Sequence, residues 1–483
     1  IVSGTATSGG SVTAAFNGTS GTIATANVVS NVNARPSVEG RATAGGVGAG
    51  ITNGTVTATL SPTITTSVGG NLTATGNVTV LTDARLGADS YYQAISLGGL
   101  GAVGTGTIAA TNSATIRTVV TATGTVGSTG GSVNVLAYHN FDGTNFLSAN
   151  TVEAGAKQVT VSIGLAVSDV NMTATASASV KSDVDAGGTL VAPSGSVNVK
   201  SVSGNYAISQ YKRTGGALIG VAPDANPTAT ASGTTEVNLL GHVRSFDGVT
   251  STSGASNIDV LAKANDIATA GIDNAGGGAI SIADSNSTAQ GTPHINVVFG
   301  GSSSVIISTN DASAEAFSGN DADASTSSAT GGVLNVNLFG ATASMTPTVA
   351  ISVTGGAHIT SDLGTVTVEA TSNEEPPPTS DGTFNAATVS GNTITFALVH
   401  NAFTGQLVAY DRQGGGAIAP NLDGRSITVI VTGTNTLQLG VVFDGAAVNP
   451  FTDVIDFGNR SHNLETGDIV IYQPIGGAIG NLP

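Results

Sequence analysis

The pentapeptide Gly-Ser-Val-Asn-Val occurs twice in this chain of 483 residues, at residues 131–135 and again at residues 195–199. Related segments recur at residues 10–14 (GSVTA), 76–80 (GNVTV), 256–260 (SNIDV), 304–308 (SVIIS) and 364–368 (GTVTV). Each segment alternates apolar and small polar residues, which is the pattern of a half-buried β-strand. The first apolar residues stand at positions 12, 78, 133, 197, 258, 305 and 366, so they recur at unequal steps. A ragged period of about sixty residues is typical of solenoids, propellers and other repeat arrays.

The composition favours a folded β protein over a disordered chain. Only 9% of the residues are charged, against about 25% in ordinary soluble domains, and 67 residues are glycine. Chains of small polar residues often bury too little apolar surface to fold. Here, however, Val, Ile and Thr alternate over long stretches and the mean hydropathy is +0.23. The sequence therefore predicts strands and gives almost no support for helices.

Charge and cysteine content exclude several classes of function. The chain has 14 Lys and Arg against 31 Asp and Glu, a net charge of −17, which argues against a nucleic-acid partner. It has no cysteine, which excludes disulfides, cysteine zinc sites and thiol catalysis. No apolar run is long enough for a transmembrane helix. Because the chain begins at Ile1 without Met, we expect it to be a segment of a longer protein.

A second block, a strand headed by proline and ending in Gly-Gly, lies between these segments. Residues 60–70 (LSPTITTSVGG) match residues 345–356 (MTPTVAISVTGG), with Pro62 and Pro347 in the same place. Residues 226–237 and 292–301 resemble degraded copies, with Pro227 and Pro293 in the corresponding position. Proline has no amide hydrogen, so we expect it at a strand start or a corner.

The predicted fold of residues 1–372 is all-β, an elongated β-solenoid in which each repeat contacts mainly its neighbours. Since one strand needs only about five or six residues, each repeat is predicted to hold two or three coils or hairpins. At about 4.8 Å per coil, the stack would be a rod on the order of 100 Å long. We expect small apolar residues inside and Thr, Ser and Asn outside. A tandem of β-sandwiches is the alternative, although an aromatic content of 4% leaves little for separate cores.

Five tyrosines follow the recurring strands: Tyr91, Tyr92, Tyr138, Tyr206 and Tyr211. We interpret them as corner or edge packing rather than as platforms on which sugar rings stack.

Residues 373–380 are predicted to form a linker, because the run Pro376, Pro377 and Pro378 extends the backbone. Residues 381–483 contain a different tandem β repeat, in which residues 394–422 align with residues 454–482 and the second copy is truncated. His400 and His462 are equivalent turn positions in this alignment.

The segments HNLETGDIVIY at residues 462–472 and GGAIGNL at residues 476–482 resemble the HxLxTGDxVxY and GxxIGxL repeat of giant repetitive bacterial cell-surface proteins, which are adhesins with haemagglutinin-like β repeats. The first copy departs from this pattern, with Gln406 where the second has Asp468. The resemblance implies small β-domain repeats and an extracellular adhesive or filament-forming role, and it implies no chemistry.

The sequence predicts no catalytic residue and no cofactor. The six histidines lack the spacing of a zinc site, and there is no nucleophile elbow, phosphate loop or dinucleotide fingerprint. The best calcium candidates are Asp311, Glu315, Asp321 and Asp323, in a span from residue 259 to 323 with eight acids against Lys263 alone. Asp183 and Asp185 form a second pair. Calcium needs six to eight converging oxygens, so we interpret these acids as solvated loop residues.

These features together predict a structural extracellular protein and not an enzyme: a segment of a bacterial surface adhesin, fibre, or filament or sheath subunit. We expect self-association into a fibre or filament, since edge strands without charge favour pairing between chains, and a cell-surface or glycan ligand as the external partner. The alternative is a carbohydrate-binding or polysaccharide-cleaving β-helix such as a phage tail fibre. That function requires a groove with aromatic and paired acidic residues, which the sequence does not show.

Overall fold

The computed structural model describes residues 1–21, 23–246 and 251–372, and in the C-terminal part residues 389–390, 393–395, 407–410, 425–433, 436–439, 448–449 and 454–455. The chain divides into two compact units, Ile1–Asn373 and Glu374–Pro483. All regular elements in the described ranges are strands, which confirms the predicted all-β class. None of the described segments is a helix of the length and apolar character needed to span a membrane. The predicted linker at residues 373–380 lies outside the described residues.

The first four repeats of the first unit follow one another in a constant order. Repeat 1 contains β1 (Val2–Phe16), β2 (Ala26–Ala34) and β3 (Ser37–Gly46). Repeat 2 contains β4 (Ala49–Val68), β5 (Asn71–Ala74), β6 (Val78–Leu86) and β7 (Ala88–Gly98). Repeat 3 contains β8 (Gly101–Asn112), β9 (Thr115–Val120), β10 (Thr125–Ser128), β11 (Val133–His139) and β12 (Val152–Ser162). Repeat 4 contains β13 (Leu165–Ala176), β14 (Ser179–Val184) and β15 (Thr189–Ala217).

Three further repeats complete the described part of this unit. Repeat 5 contains β16 (Gly220–Ala231), β17 (Thr234–Leu239), β18 (His242–Phe246), β19 (Ser251–Ser253) and β20 (Ala255–Gly277). Repeat 6 contains β21 (Ile280–Gly291), β22 (His294–Phe299), β23 (Val305–Ser308) and β24 (Ala312–Gly331). Repeat 7 contains β25 (Leu334–Met345), β26 (Thr348–Ser352), β27 (His358–Ser361) and β28 (Val366–Ser372). In each repeat the opening strand or strands belong to one sheet, sheet A, and the remaining strands to the other, sheet B.

Strands of one repeat pair in parallel with the same strands of the next. In sheet B one row of paired residues runs through all seven repeats: Ala26, Val78, Val133, Val197, Ile258, Ala312 and Val366. The two Gly-Ser-Val-Asn-Val segments therefore lie side by side on β11 and β15. Among the described strands of this unit, only β18 and β19 form an antiparallel pair.

Two of the seven positions that mark the period in the sequence are wrong. Val12 lies on β1 and pairs with Ile64 in sheet A, and Val305 lies on β23 and pairs with His358. Ala26 and Ala312 occupy the equivalent places instead. In these two repeats the first apolar residue of the strand is alanine, so the Val or Ile that marks the other repeats is absent. Val12 and Val305, which lie on other strands, match the sequence pattern instead.

The prediction of two or three coils in each repeat is also wrong. Each repeat makes a single circuit through both sheets, because its strands pair only with the preceding and following repeats and not with each other, the β18–β19 hairpin apart. Seven stacked strands are separated by six intervals of about 4.8 Å, so the first and last lie about 29 Å apart rather than about 100 Å.

Two of the four prolines, Pro293 and Pro347, lie at a break between two strands, whereas Pro62 lies within the continuous strand β4. Pro62, Pro293 and Pro347 each immediately precede a row of sheet A that contains Thr63, His294 and Thr348. In repeats 3 to 7 the sheet A strand is interrupted at this point. Pro227 does not belong to this position, since it pairs with Met172 within β13 and β16.

The interior contains two apolar clusters built mainly of Ala, Val, Ile and Leu, as the composition predicts. Contrary to the expectation that Thr and Ser lie outside, a line of buried hydroxyls separates them. We call this line the hydroxyl seam; it consists of Thr66, Thr82, Thr118, Ser182 and Ser201. Each hydroxyl donates to a backbone carbonyl of the opposite sheet, at Leu81, Arg117, Leu136, Lys200 and Glu236 respectively. The seam therefore joins the two sheets by hydrogen bonds across the core.

The second unit is described only in part. Its described strands are β29 (Val389–Ser390), β30 (Thr393–Thr395), β31 (Leu407–Tyr410), β32 (Arg425–Gly433), β33 (Thr436–Leu439), β34 (Val448–Asn449) and β35 (Val454–Ile455). They form a five-stranded antiparallel sheet in the order β29-β30-β33-β32-β31 and the pair β34-β35. His400, His462 and the motif at residues 462–482 lie outside the described residues, so the tandem repeat stays a prediction.

Candidate functional surfaces

The four calcium candidates do not converge on one point. Asp311 precedes β24, whereas Glu315, Asp321 and Asp323 lie along it. Ten residues of extended chain between Asp311 and Asp321 measure about 33 Å, too far for one ion. The described residues contain no group of three or more His, Asp or Glu side chains that could hold a metal.

The local contacts of these acids indicate structural roles without a bound metal ion. The Asp311 carboxylate accepts hydrogen bonds from the backbone amide and the hydroxyl of Thr365, at 2.9 and 3.0 Å, and these bonds lower its pKa. Burial raises the pKa of Glu315, and the charges of Asp259 and Glu369 raise it further. Burial also raises the pKa of Asp321, followed by the charge of Asp323. Asp311 fastens a turn, and the other acids lie on a strand rather than in the predicted loop.

The second acidic pair is held by basic side chains of sheet A. Arg117 Nε lies 2.6 Å from Asp183 Oδ2, and Arg117 Nη2 lies 3.8 Å from Asp185. Asn238 donates a further hydrogen bond to Asp183 at 2.9 Å. These contacts make Asp183 a structural ion-pair residue rather than a calcium ligand.

The outer face of sheet A also carries an acidic row that the sequence analysis did not identify. Asp169 pairs with Asp224, and Asp224 pairs with Asp284, so three exposed carboxylates lie on successive strands. Burial raises the pKa of Asp224; Asn226 donates to it at 2.9 Å and lowers the pKa, and the charges of Asp169 and Asp284 raise it again. Although the strands lie about 4.8 Å apart, these three carboxylates do not form a group that could hold a metal ion.

Three of the five tyrosines are inside the fold. Tyr92, Tyr206 and Tyr211 are buried, so their rings are not available to stack on a sugar. Tyr211 donates to Gln158 Oε1 at 3.1 Å, and Asn265 donates to the Tyr206 hydroxyl at 3.2 Å. The interpretation as packing residues is confirmed for these three, but they pack in the core and not at an exposed edge.

An aromatic cluster fastens the longest insertion to the outer face of sheet B. The segment 140–151 follows β11 and contains Phe141 and Phe146, whose rings lie 5.3 Å apart, and Phe141 meets Tyr138 at 5.1 Å. The ammonium of Lys263 lies 5.7 Å from the centre of Phe146 and 5.3 Å from that of Phe317. The rings contact one another and a cation of the same chain, so the cluster closes this loop onto the sheet.

Exposed apolar residues line the turn from sheet B back to sheet A. We call this row the apolar corner; its members are Val47, Leu100, Ile163, Leu218, Ile219 and Val333. Val47, Leu100, Leu218 and Val333 are 94%, 78%, 71% and 96% exposed. Successive turns are joined by backbone hydrogen bonds, such as Leu100 N to Gly48 O at 2.9 Å and Leu165 N to Leu100 O at 3.3 Å. Ala279 occupies the equivalent turn between Leu218 and Val333, so the corner is an apolar row along the stack with one small member. Contiguous exposed apolar surface often marks an interaction site.

Ionisable groups in the interior form the last group of candidates. His139 and Asp266 are fully buried and lie at the two ends of a hydrogen-bonded chain. His139 Nδ1 is 3.2 Å from the Ser203 hydroxyl, Asn205 donates to that hydroxyl at 3.1 Å, and Asn205 also donates to Asp266 Oδ1 at 2.7 Å. Burial lowers the pKa of His139 to about 3 and raises that of Asp266 to about 7. Both groups are therefore neutral inside the fold near pH 6.

These interior polar residues were not predicted from the sequence. The alternation of the strand could have identified them. Residues separated by an even number of positions face the same side of a strand, so a charged residue at such a spacing from buried residues must point inward. In the segment 204–216, Arg213 is in step with Tyr211 and Ala207, and all three are buried.

Comparison of the chain with protein-family models, with curated proteins and with solved structures finds no match.

Proposed function

We propose that this chain is a β-solenoid segment of an extracellular structural protein, such as a bacterial surface adhesin, fibre, or filament or sheath subunit. The observation that supports it best is the parallel pairing of each repeat with the next through seven repeats. Such a stack resists unfolding through backbone ladders and needs few charges. The motif at residues 462–482 supports the assignment to repetitive bacterial surface proteins.

Association between copies is the second part of the proposal, and the apolar corner supports it. A row of exposed Val, Leu and Ile side chains can bury its area against the same row of another copy. The 9% content of charged residues leaves little repulsion to oppose such contact. The copies would then lie side by side.

The test is sedimentation and electron microscopy of the purified chain over a range of concentrations. We expect concentration-dependent, ordered assemblies, and we expect them to be lost when Leu100, Ile163 and Leu218 are all replaced by Ser. The matched control replaces three outward threonines, Thr55, Thr107 and Thr173, by Ser and should assemble like the wild type. A wild-type chain that stays monomeric at all concentrations would contradict the self-association.

The adhesive role has a separate test. The purified chain, fluorescently labelled, should bind cell surfaces or immobilised glycans and should leave those glycans intact. Release of shorter sugars would instead favour the polysaccharide-cleaving alternative. The burial of Tyr92, Tyr206 and Tyr211 argues against that alternative, because it removes three of the rings a sugar groove would use.

A further inference from the structure

Arg213 is a fully buried cation that has no acidic partner in the part of the chain that the structure describes. Its side chain is 1% exposed, and it belongs to no ion pair among the described residues. A guanidinium stays protonated in proteins. Burial of an unpaired ion is strongly unfavourable, because the ion loses its hydration and gains no opposite charge. The charge of Arg213 therefore requires a compensating group, and none of the described acids supplies one.

Neutral side chains accept hydrogen bonds from only some of the N–H groups of this guanidinium. Its Nε donates to Ser168 Oγ at 3.0 Å, Nη1 to Asn274 Oδ1 at 3.2 Å and Nη2 to Thr160 Oγ1 at 2.8 Å. Arginine has five N–H donors, so two remain, one on each terminal nitrogen.

Two further unpaired donors flank Arg213. Gln158 and Asn274 pair with Arg213 on the neighbouring strands, β12 and β20, and both are buried. Gln158 Nε2 and Asn274 Nδ2 have no hydrogen-bond partner. The orientation of the Asn274 amide is fixed, because its Oδ1 accepts from Arg213, whose guanidinium can only donate. Gln158 Oε1 accepts from the Tyr211 hydroxyl, which leaves the Gln158 NH₂ group without a partner. Buried N–H groups without partners are rare in native proteins, and here they accompany an uncompensated positive charge.

The surroundings restrict the size of any ligand. A Cβ atom at Gly104 would lie 3.2 Å from Gln158 Nε2, and one at Gly276 would lie 3.1 Å from Arg213 Nη1. The backbone thus approaches these polar groups closely, which favours a single small ion over a phosphate or an organic acid. A water molecule would satisfy the donors but would leave the charge uncompensated.

We propose that Arg213, Gln158 and Asn274 bind one small monovalent anion, such as chloride, inside the first unit. The anion accepts hydrogen bonds from the two free N–H groups of the guanidinium and from the two amides. It is a structural counter-ion between β12, β15 and β20, and it is independent of the proposed role in adhesion.

The test compares unfolding in sodium chloride and in sodium gluconate at equal ionic strength. A ligand that binds only the folded chain lowers the unfolding equilibrium constant in proportion to its concentration once it exceeds the dissociation constant. We expect this tenfold change per tenfold chloride in the wild type and no chloride dependence in Arg213→Met. The matched control is Lys212→Met, which removes a neighbouring outward cation paired with Asp273 at 3.1 Å and should keep the chloride dependence.

Crystals of the wild type grown in bromide provide a readout that needs no variant. We expect an anomalous peak within hydrogen-bond distance of the Arg213 guanidinium and the amides of Gln158 and Asn274. The absence of this peak, together with identical unfolding in chloride and gluconate, would overturn the proposal.

Discussion

Asp266 and His139 have reversed protonation states inside the fold: at mildly acidic pH the aspartate is protonated and the histidine is not. The folded chain holds a proton on Asp266, whose pKa burial raises to about 7, and none on His139, whose pKa burial lowers to about 3. Their ordinary values are 3.8 and 6.5, so between about pH 4 and 6.5 the unfolded chain holds its proton on the histidine instead. Each state binds one proton, and the contributions of the two groups to the pH dependence of stability cancel.

Replacement of Asp266 by Asn should reveal this cancellation. A carboxyl whose folded pKa is raised stabilises the fold below its unfolded pKa, and that stability is lost as pH rises from 3.8 through about 7. The free energy of unfolding of Asp266→Asn minus that of the wild type should therefore rise with pH over this window, by about 1.4 kcal/mol per unit. Urea unfolding at several pH values between 4 and 8 measures the difference.

His139→Gln is the matched variant, and its difference profile should have the opposite sign. A histidine whose folded pKa is lowered contributes stability that is lost as pH falls from 6.5 through about 3. The difference between His139→Gln and the wild type should therefore fall as pH rises up to 6.5. Difference profiles that do not change with pH would show that the two groups are not buried as described.

The hydroxyl seam gives a second test at the level of single residues. Thr118 Oγ1 lies 2.7 Å from the Leu136 carbonyl oxygen and 2.7 Å from Thr82 Oγ1. Thr118→Val keeps the shape and removes the hydroxyl, and we expect a loss of about 1–2 kcal/mol in the free energy of unfolding. Thr107 points outward, so Thr107→Val should change stability by less than about 0.5 kcal/mol. Equal effects of the two substitutions in chemical denaturation would contradict a structural role for the seam.

At the scale of the strand and its turns, the glycines at the apolar corner set how closely successive repeats approach. A Cβ atom at Gly99 would overlap the carbonyl oxygen of Val47 in the preceding repeat, whereas a Cβ at Gly48 would meet nothing within 4 Å. We expect Gly99→Ala to cost about 1–3 kcal/mol through overpacking and Gly48→Ala to be nearly neutral. Thermal unfolding of the two variants checks the contrast, and a stable Gly99→Ala protein would show that the repeats can separate at this corner.

Strands were predictable from the sequence, but their stacking was only partly so. Alternation depends on adjacent residues, so the segments at residues 76–80, 131–135, 195–199, 256–260 and 364–368 were assigned correctly as equivalent strands. The number of coils in a repeat depends on which distant strands pair, and alternation does not record that. A repeat that crosses two wide sheets in one circuit has the same local pattern as several small coils.

Most of the candidate sites could not be read from the sequence for a related reason. The acids of β24 are close in sequence, but they lie along an extended strand and are therefore far apart in space. Their clustering in the sequence suggested a shorter distance than the structure shows. Conversely, Gln158, Arg213 and Asn274 belong to three different repeats and become neighbours only through the pairing register. His139 and Asp266 are linked in the same way, across β11, β15 and β20.

At the scale of the whole first unit, each repeat contacts mainly the repeats before and after it. The steps along the central row of sheet B are unequal, since Ala26 and Val78 are closer in sequence than Val133 and Val197. The extra residues lie in turns and insertions such as the segment 140–151, while the paired rows remain aligned. Stability should then be a sum of repeat and interface terms, and a complete repeat should be removable.

Deletion of residues 280–333 tests this property. Because Ile280 pairs with Leu334 and Ala312 pairs with Val366, removal of this segment leaves β25 in register with β16 and β28 in register with β20. We expect a β-rich circular dichroism spectrum and a single, cooperative urea transition at a lower midpoint than the wild type, since one interface is lost.

The matched control deletes residues 280–303, which removes β21 and β22 but keeps β23 and β24. The shortened repeat would then have strands in sheet B but none in sheet A. As a result β25 and β26 would lose their pairing partners, β21 and β22. This smaller deletion should lose more strand signal per residue than the larger one and should unfold in more than one step. If the shorter deletion were the better tolerated, the stability of the unit would depend on chain length and not on complete circuits, and the single-circuit architecture would be wrong.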